Sequence, residues 1–402
     1  PEEDWGELAP SQPTRSTYGV RQATMPMRSV VRFEDIMRIL ESGIAGGVVP
    51  TGTNPYTWTY TADNAADTLT PKTIEDVDNQ LSYAMVGAFA QRIRLSFDAL
   101  APASASPWQL EVTWIGRDKR ILGTASTAVG PVSAETAMGH LTRMFYGEIG
   151  TAFASLAEVA TALLAFDITI ETGVVLRKQG GTTDRADSHG RAKLAVTFTA
   201  LVEQIAGTKA TLWDGFEGDA VNPVIPGKRM RIQARGGVLS GTNEIQTLTM
   251  PGGPTGGTFT LTFNAVTTPA IPYNATAADV QRILQQLSTI GSGNVVCAGG
   301  PLPGTPITVT FRGALGYADV ALMTASSAGL TGGTTPTLTP TTTTPGVAGV
   351  YKTLPIDGRV EVDVIPLQEG AGSSRYSIQG RYVKDATLAS TIQIAVVNAI
   401  AT

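Results

Sequence analysis

Strict two-residue alternation limits this chain most. In Arg92-Ile-Arg-Leu-Ser-Phe-Asp98, residues Ile93, Leu95 and Phe97 share one face. In the run from Trp108 to Gly116, residues Trp108, Leu110, Val112 and Trp114 do the same. Successive side chains of a strand point to opposite sides, so this pattern means sheet with one buried and one wet face. The small residues between the two runs make them an antiparallel hairpin. The rhythm returns in Lys193–Thr199, Lys228–Arg235, Arg359–Val364 and Tyr376–Val383, and further strands read at Tyr83–Ala90 and Leu141–Tyr146. The final stretch, 391–400, is apolar on both faces and reads as a central or interface strand. Only 16% of residues are charged and Gly, Thr, Ala and Val abound, which favours sheet with many turns over helical bundles. The expected class is mainly β (α+β).

The chain divides by composition. Residues 1–29 form a polar arm held extended by Pro10, Pro13 and Pro26. It has no basic or apolar leader segment, and its anchors Trp5, Leu8, Tyr18 and Val20 are expected to dock on a neighbour. A short helix follows, with Ile36, Ile39, Leu40 and Ile44 on one stripe and Glu34 and Asp35 in the first turn, where negative charge favours the dipole. Residues 61–82 carry Asp63, Asp67, Glu75, Asp76 and Asp78 and read as a solvated loop. For 152–165, propensity favours helix, but the run into Phe166–Ile170 favours strand from about Thr161. Residues 177–191 read as a hairpin tip between strands 169–176 and 192–201, and a short helix is placed within 200–216. Between 241 and 345 the charged residues are only Glu244, Asp279, Arg282, Arg312 and Asp319. That segment has its own strands and a helix through Gln286, capped within Asn274–Asp279, with Val280, Ile283, Leu284 and Leu287 on one face. It therefore reads as an inserted small α+β domain, ending in a Thr/Pro linker over 331–345. The host β domain is then 30–240 plus 346–402, with flexible glycines at 236–237 and 346–349 flanking the insert.

Chemistry is hard to find. The two histidines are His140 and His189. Asp184, Asp187 and His189 are the nearest approach to a ligand cluster, but mobile loop residues lack the rigid scaffold that a metal site needs. No nucleophile elbow, P-loop, H-E-x-x-H or paired C-x-x-C occurs. Gly291-Ser-Gly293 follows a helix instead of opening one, the wrong order for dinucleotide binding. The single cysteine, Cys297, excludes an intrachain disulfide framework and reads as a small core residue. No catalytic residue, metal ligand or cofactor is expected. A net charge of -5 argues against a basic nucleic-acid clamp. No apolar run approaches the ~18 residues of a membrane-spanning helix.

Three stretches carry a family resemblance. They are Gly46-Gly-Val-Val-Pro-Thr-Gly-Thr-Asn-Pro-Tyr-Thr-Trp-Thr-Tyr60, Trp108-Gln-Leu-Glu-Val-Thr-Trp-Ile-Gly-Arg117 and Leu164-Ala-Phe-Asp-Ile-Thr-Ile-Glu-Thr-Gly173. Together they resemble the major tail tube proteins of long-tailed, siphovirus-type phages of actinobacteria. The likeness covers roughly residues 30–235 and 358–399. The insert resembles a module that recurs in proteins of such phages. The resemblance implies a tail-tube-type β-sandwich with a flanking helix, in rings of six that stack into a hollow tube of the virion tail. It implies as partners other copies of the chain, the tape measure, tail terminator and distal tail proteins, and phage DNA in transit. Host surface glycans are a further partner, through 241–345. Tyr56, Trp58 and Tyr60 join the arm residues as interface candidates, and the insert is expected outside the tube. The rival readings are a host-surface adhesin and a shell decoration protein.

Overall fold

In the computed structural model, residues 22–62, 68–77, 82–100, 106–122, 134–159, 163–177, 188–203, 227–364, 367–369 and 374–400 are described. The chain forms two compact units: a host of Pro1–Gly237 with Lys352–Thr402, and an insert of Val238–Tyr351. The architecture is mainly β. The first part of the host supplies β1 (Ala23–Val30), β2 (Tyr56–Thr61), β3 (Lys72–Val77), β4 (Ser82–Asp98), β5 (Gln109–Gly116), β6 (Asp118–Leu122), β7 (Arg143–Gly147), β8 (Ala157–Val159), β9 (Leu163–Glu171), β10 (Val174–Arg177), β11 (Ser188–Arg191), β12 (Ala195–Glu203) and β13 (Lys228–Thr242). The last of these runs through the unit boundary. The insert supplies β14 (Ile245–Thr249), β15 (Gly256–Phe263), β16 (Val266–Thr267), β17 (Ile271–Pro272), β18 (Val295–Gly299), β19 (Ile307–Phe311), β20 (Thr324–Ser326), β21 (Leu330–Thr331) and β22 (Thr339–Thr344). Then β23 (Val347–Val364) returns to the host, followed by β24 (Leu367–Glu369), β25 (Ser374–Val383) and β26 (Gln393–Asn398). The helices are α1 (Ile36–Gly43) in the host and α2 (Ala277–Leu284) in the insert.

The host is organised by one sheet in the order β1-β5-β4-β9-β12-β25-β23-β13-β7-β8. Alternation sets its buried face: Ile93, Leu95, Val112, Trp108, Ile168, Val196, Phe198, Ile232 and Ile378 are all buried. β23 changes partner along its length. Thr353–Asp357 face β26, which also pairs β2, and Arg359–Val364 face β25. At the change stands Gly358, where a Cβ would lie 2.4 Å from the Tyr382 ring, so no larger residue fits without moving that ring. Helix α1 packs its Ile36, Ile39 and Leu40 stripe into the same core as Trp58 and Tyr60 of β2. Gly43 permits its close approach to β4: a Cβ there would meet Ile93 at 2.9 Å. Carbonyls at the end of α1 that lack a helical partner are satisfied by Arg191 of β11, which donates to Gly43 O at 3.1 Å and Ile44 O at 2.9 Å.

Two buried ion pairs join the parts of the host that the insert separates in sequence. Arg229 is 1% exposed and donates to both carboxylate oxygens of Asp385, at 2.9 and 2.8 Å, and to Thr151 O at 2.6 Å. Arg231 grips Asp357 in the same bidentate way, at 2.6 and 2.7 Å. A third clamp is Lys352, paired with Glu34 at 2.5 Å and Glu135 at 3.1 Å. Burial alone would raise the Asp385 carboxyl. The Arg229 guanidinium and the N–H groups of Leu388 and Thr387 outweigh it and hold the carboxyl below its ordinary range.

The insert has its own core. Leu248, Phe259, Leu261, Phe263, Val280, Leu284, Ile307, Val309 and Phe311 converge in it. They come from a four-stranded sheet, β18-β19-β14-β22, from strands gathered around β15, and from α2. Phe263 and Phe311 stack with centroids 5.4 Å apart. The capping box that starts α2 is Thr276 with Asp279: each side chain takes the other's backbone N–H.

Several expectations need correction. Residues 23–29 are not a free arm: β1 pairs with β5 of the same chain over its whole length, because Met25 and Met27 pack against the core. Glu34 does not serve a helix dipole; it is buried and neutralised by Lys352. Within 61–82, β3 pairs with β4 despite its charges, because only one of its faces needs to be apolar. Residues 63–67 and 78–81 lie outside the described residues, and so do 204–216, where a short helix was expected. The hairpin around 177–191 begins later than its spacing implied: β9 pairs with β12, and β10 with β11 form a separate ribbon. The 152–165 stretch agrees with the strand reading: β9 begins at Leu163, after a turn at Phe153–Ser155 and the short β8. The 331–345 linker is not a linker. Its β22 pairs with β14, and Leu338 is buried in the insert core. Of the glycines flanking the insert, Gly236 and Gly237 are part of β13 and Gly349 is part of β23, and Gly237 donates its N–H to Glu135 at 2.6 Å.

Two outcomes follow. Arg229→Met, which leaves Asp385 buried without its partner, is expected to destabilise the host by about 3–5 kcal/mol in chemical denaturation. Since the folded Asp385 pKa is depressed, the pair's contribution is complete above the ordinary carboxylate pKa of about 3.9 and is lost as pH falls through the folded value. In the insert, Thr276→Ala removes the cap and is expected to cost about 1 kcal/mol, read as a lower unfolding midpoint of that unit.

Candidate assembly surface

Among the described residues no group of three His, Cys, Asp or Glu side chains converges on a metal position. Asp184 and Asp187 lie outside the described residues. His189 sits on β11 with its ring 4.3 Å from that of Phe89, in a small apolar cluster with Leu69, Ile115 and Val174. His140 lies on an exposed turn beside a cleft of about 390 Å³, bounded by Ala99, Arg143, Glu158 and Leu163. Arg143 and Glu158 neutralise each other there at 3.0 Å. The Cys297 thiol is pushed up to about 12 by burial, which keeps it protonated and a poor nucleophile at neutral pH. Asn274 and Thr276 are exposed, and Thr276 serves as the helix cap.

The interface candidates separate. Trp5, Leu8, Tyr18 and Val20 lie outside the described residues. Tyr56 is half-buried, whereas Trp58 and Tyr60 are 2% and 0% exposed. Trp58 donates its indole N–H to Ile400 O at 3.2 Å. Trp58 and Tyr60 are thus core residues of their own subunit and offer nothing to a neighbour. Their alternation gave the right face, but sequence alone does not show that β26 and α1 cover it.

What the host does present is open sheet. β1 ends the strand order and, among the described residues, pairs on one side only. The N–H of Val31 bonds to Trp108 O at 2.8 Å, so odd-numbered residues of β1 face β5. The even-numbered residues Thr24, Pro26, Arg28 and Val30 then turn their backbone groups outward, and Pro26 stands where no donor is needed. Across the solvent face of this sheet runs a ladder of opposite charges: Arg28–Glu111 at 3.1 Å, Arg94–Glu111 at 3.2 Å and Arg94–Asp167 at 2.5 Å. Farther along, Arg92 meets Glu171 at 3.1 Å and Arg381 meets Glu361 at 2.9 Å. Each of these arginines has its carboxylate in place, which neutralises it toward phosphate.

The insert covers one edge of its sheet. On β18, the Cys297 N–H is taken by Gln281 Oε1 at 3.0 Å, and Val295 O receives Gln285 Nε2 at 3.1 Å. Both glutamines lie on or just after α2, so the helix covers that edge. On the opposite edge, β22 carries Pro340 and a register shift against β14. Covered edges, prolines and bulges are the devices that prevent unwanted strand pairing. Arg229 and Arg231 of β13 carry no motif, but their alternation with Met230 and Ile232 marks a second, polar face that has to meet carboxylates.

Comparison with known proteins agrees with a tail protein. No protein-family model matches the sequence. Over 142 residues the chain is 35% identical to a tail sheath protein of Mycobacterium phage Bxz1, a match that takes in 35% of this chain and 23% of that protein. The chain thus spans about a quarter of the length of the curated relative it matches. The similarity is to a structural component of a phage tail, and it does not single out the tube.

Proposed function

We propose that this chain is a structural protein of a phage tail whose host unit polymerises, and that the tube is the part of the tail it builds. The observation that carries the reading is the similarity to a phage tail sheath protein. The open β1 edge of the host, beside the α2-covered β18 edge of the insert, supports it. In this reading the location is the virion tail. Subunits join edge to edge in a ring, a heterologous contact that closes by rotation, and rings stack into a filament. Six subunits per ring, and contacts with the tape measure, terminator and distal tail proteins, belong to the same proposal. DNA is a transient passenger, and the chain is assigned no catalytic step. A sheath subunit is the second reading, favoured by the relative's name. An adhesin or decoration protein has weaker support, because the aromatics Phe259, Phe263 and Phe311 of the insert are buried in its core.

Negative-stain microscopy of the purified chain is expected to show rings or hollow tubes; a monomer at high concentration, in microscopy and sedimentation alike, contradicts the proposal. Arg28→Pro removes an outward N–H of β1 and the exposed Arg28–Glu111 ion pair without touching the backbone bonds to β5, and is expected to abolish polymers while leaving circular dichroism unchanged. Replacing the insert with a short Gly/Ser hairpin between β13 and β23 is expected to leave polymers intact. Loss of polymers from that folded variant would place the insert in the assembly contact.

A further inference from the structure

The outer strand of the insert sheet poses a problem that the rest of the insert has solved. β22 pairs with β14 and has no second partner among the described residues. Its sequence is Thr-Pro-Thr-Thr-Thr-Thr, rich in a residue of high β propensity. Charged side chains are the commonest guard of such an edge, yet between Arg312 and Lys352 the single charge is Asp319. The other edge is covered by α2, but β22 has only Pro340 and one bulge. In a polymer, many copies of this edge would be held at high local concentration.

The same segment displays hydroxyls. Thr334, Thr335, Thr337, Thr339, Thr341, Thr342 and Thr343 are all exposed, with Pro336, Pro340 and Pro345 among them. Four are occupied within the fold. Thr335 donates to Thr334 O at 2.8 Å, Thr341 to Thr247 O at 3.4 Å and Thr342 to Glu244 at 3.3 Å, and Thr343 shares a hydrogen bond with Thr247. The hydroxyls of Thr334, Thr337 and Thr339 have no hydrogen-bond partner among the described residues. The backbone beneath them is fixed nonetheless: the N–H of Thr334 bonds to Gly252 O at 2.8 Å, that of Thr337 to Pro251 O at 3.2 Å, and Thr339 O receives the Thr249 hydroxyl at 3.2 Å. They are free acceptors on a rigid, solvent-facing scaffold rich in Thr and Pro, the composition of O-linked sugar attachment.

We propose that Thr334, Thr337 and Thr339 are sites of O-linked glycosylation. The donor is a nucleotide-activated sugar held by a separate glycosyltransferase. The threonine Oγ attacks the anomeric carbon, and the bond from that carbon to the nucleoside diphosphate breaks. The hydroxyl proton passes to a base of the transferase, and no redox change occurs. The attached sugars surround the uncharged β22 edge with bound water and bulk, and so do the work that charges perform on other edge strands. Phosphorylation is disfavoured because no Lys or Arg lies between Arg312 and Lys352 to pair with the added charge.

The test is intact-mass spectrometry of the full chain purified from cells of the phage's own host after infection, followed by peptide fragmentation. The expected result is a mass above that of the sequence in whole-sugar steps, mapped to Thr334, Thr337 and Thr339. The triple variant T334A/T337A/T339A, made in the same host, should lose those steps with an unchanged unfolding midpoint. A single mass equal to that of the sequence, a phosphate increment, or sugars mapped only to other residues would overturn the proposal. None of these outcomes depends on whether the chain forms tubes.

Discussion

The fold depends on holding together a host sheet whose chain is interrupted by more than a hundred residues of another domain. Arg229 with Asp385, and Arg231 with Asp357, bind the segment that leaves the host to segments that follow the return. A buried ion pair contributes little net stability, because desolvation offsets much of the attraction. Its value is in register. A bidentate guanidinium–carboxylate contact accepts one geometry, and a one-residue slip of β13 would turn Arg229 and Arg231 toward the apolar core occupied by Met230 and Ile232. Gly358 and Lys352 fix β23 on the other side of the interruption, the first by admitting Tyr382 and the second by neutralising Glu34.

With register fixed, edges decide what the molecule can join. The host exposes β1 along one end of its sheet, and its solvent face carries a ladder of arginine–carboxylate pairs. Those ion pairs are exposed and individually weak, but each holds an arginine that would otherwise attract phosphate. The insert differs in that α2 covers one edge of its sheet, around a core of its own. The proposed assembly through the host edge rests on that division. The buried Glu244–Gln246 pair serves the same isolation. It takes the N–H groups of Val320 and Met323 at 2.8 and 3.0 Å, and so satisfies an irregular segment internally.

Much of the fold was legible in the sequence because one buried face leaves a period-two record. β4, β5, β9, β12, β13 and β25 are readable in that way, and α1 and α2 from their apolar stripes. What was not legible depends on partners distant in sequence. β22 looks like a linker because its composition has no apolar face; it is a strand because β14 offers a ladder and Leu338 an anchor. Trp58 and Tyr60 look like sticky surface, and are core because β26, more than three hundred residues later, pairs with β2. The mutual neutralisation of Glu34 and Lys352 has no local signature at all. For the assembly surface the sequence gives face alternation, but which strand stands at the edge is a property of topology.

Amide hydrogen exchange, compared between the unpolymerised and the assembled protein, tests most directly the claim that assembly runs through the host edge. The account predicts new protection on assembly at the outward amides of β1, Thr24, Arg28 and Val30, and unchanged exchange across β14, β18, β19 and β22. Protection gained in the insert strands, with β1 unchanged, would contradict it.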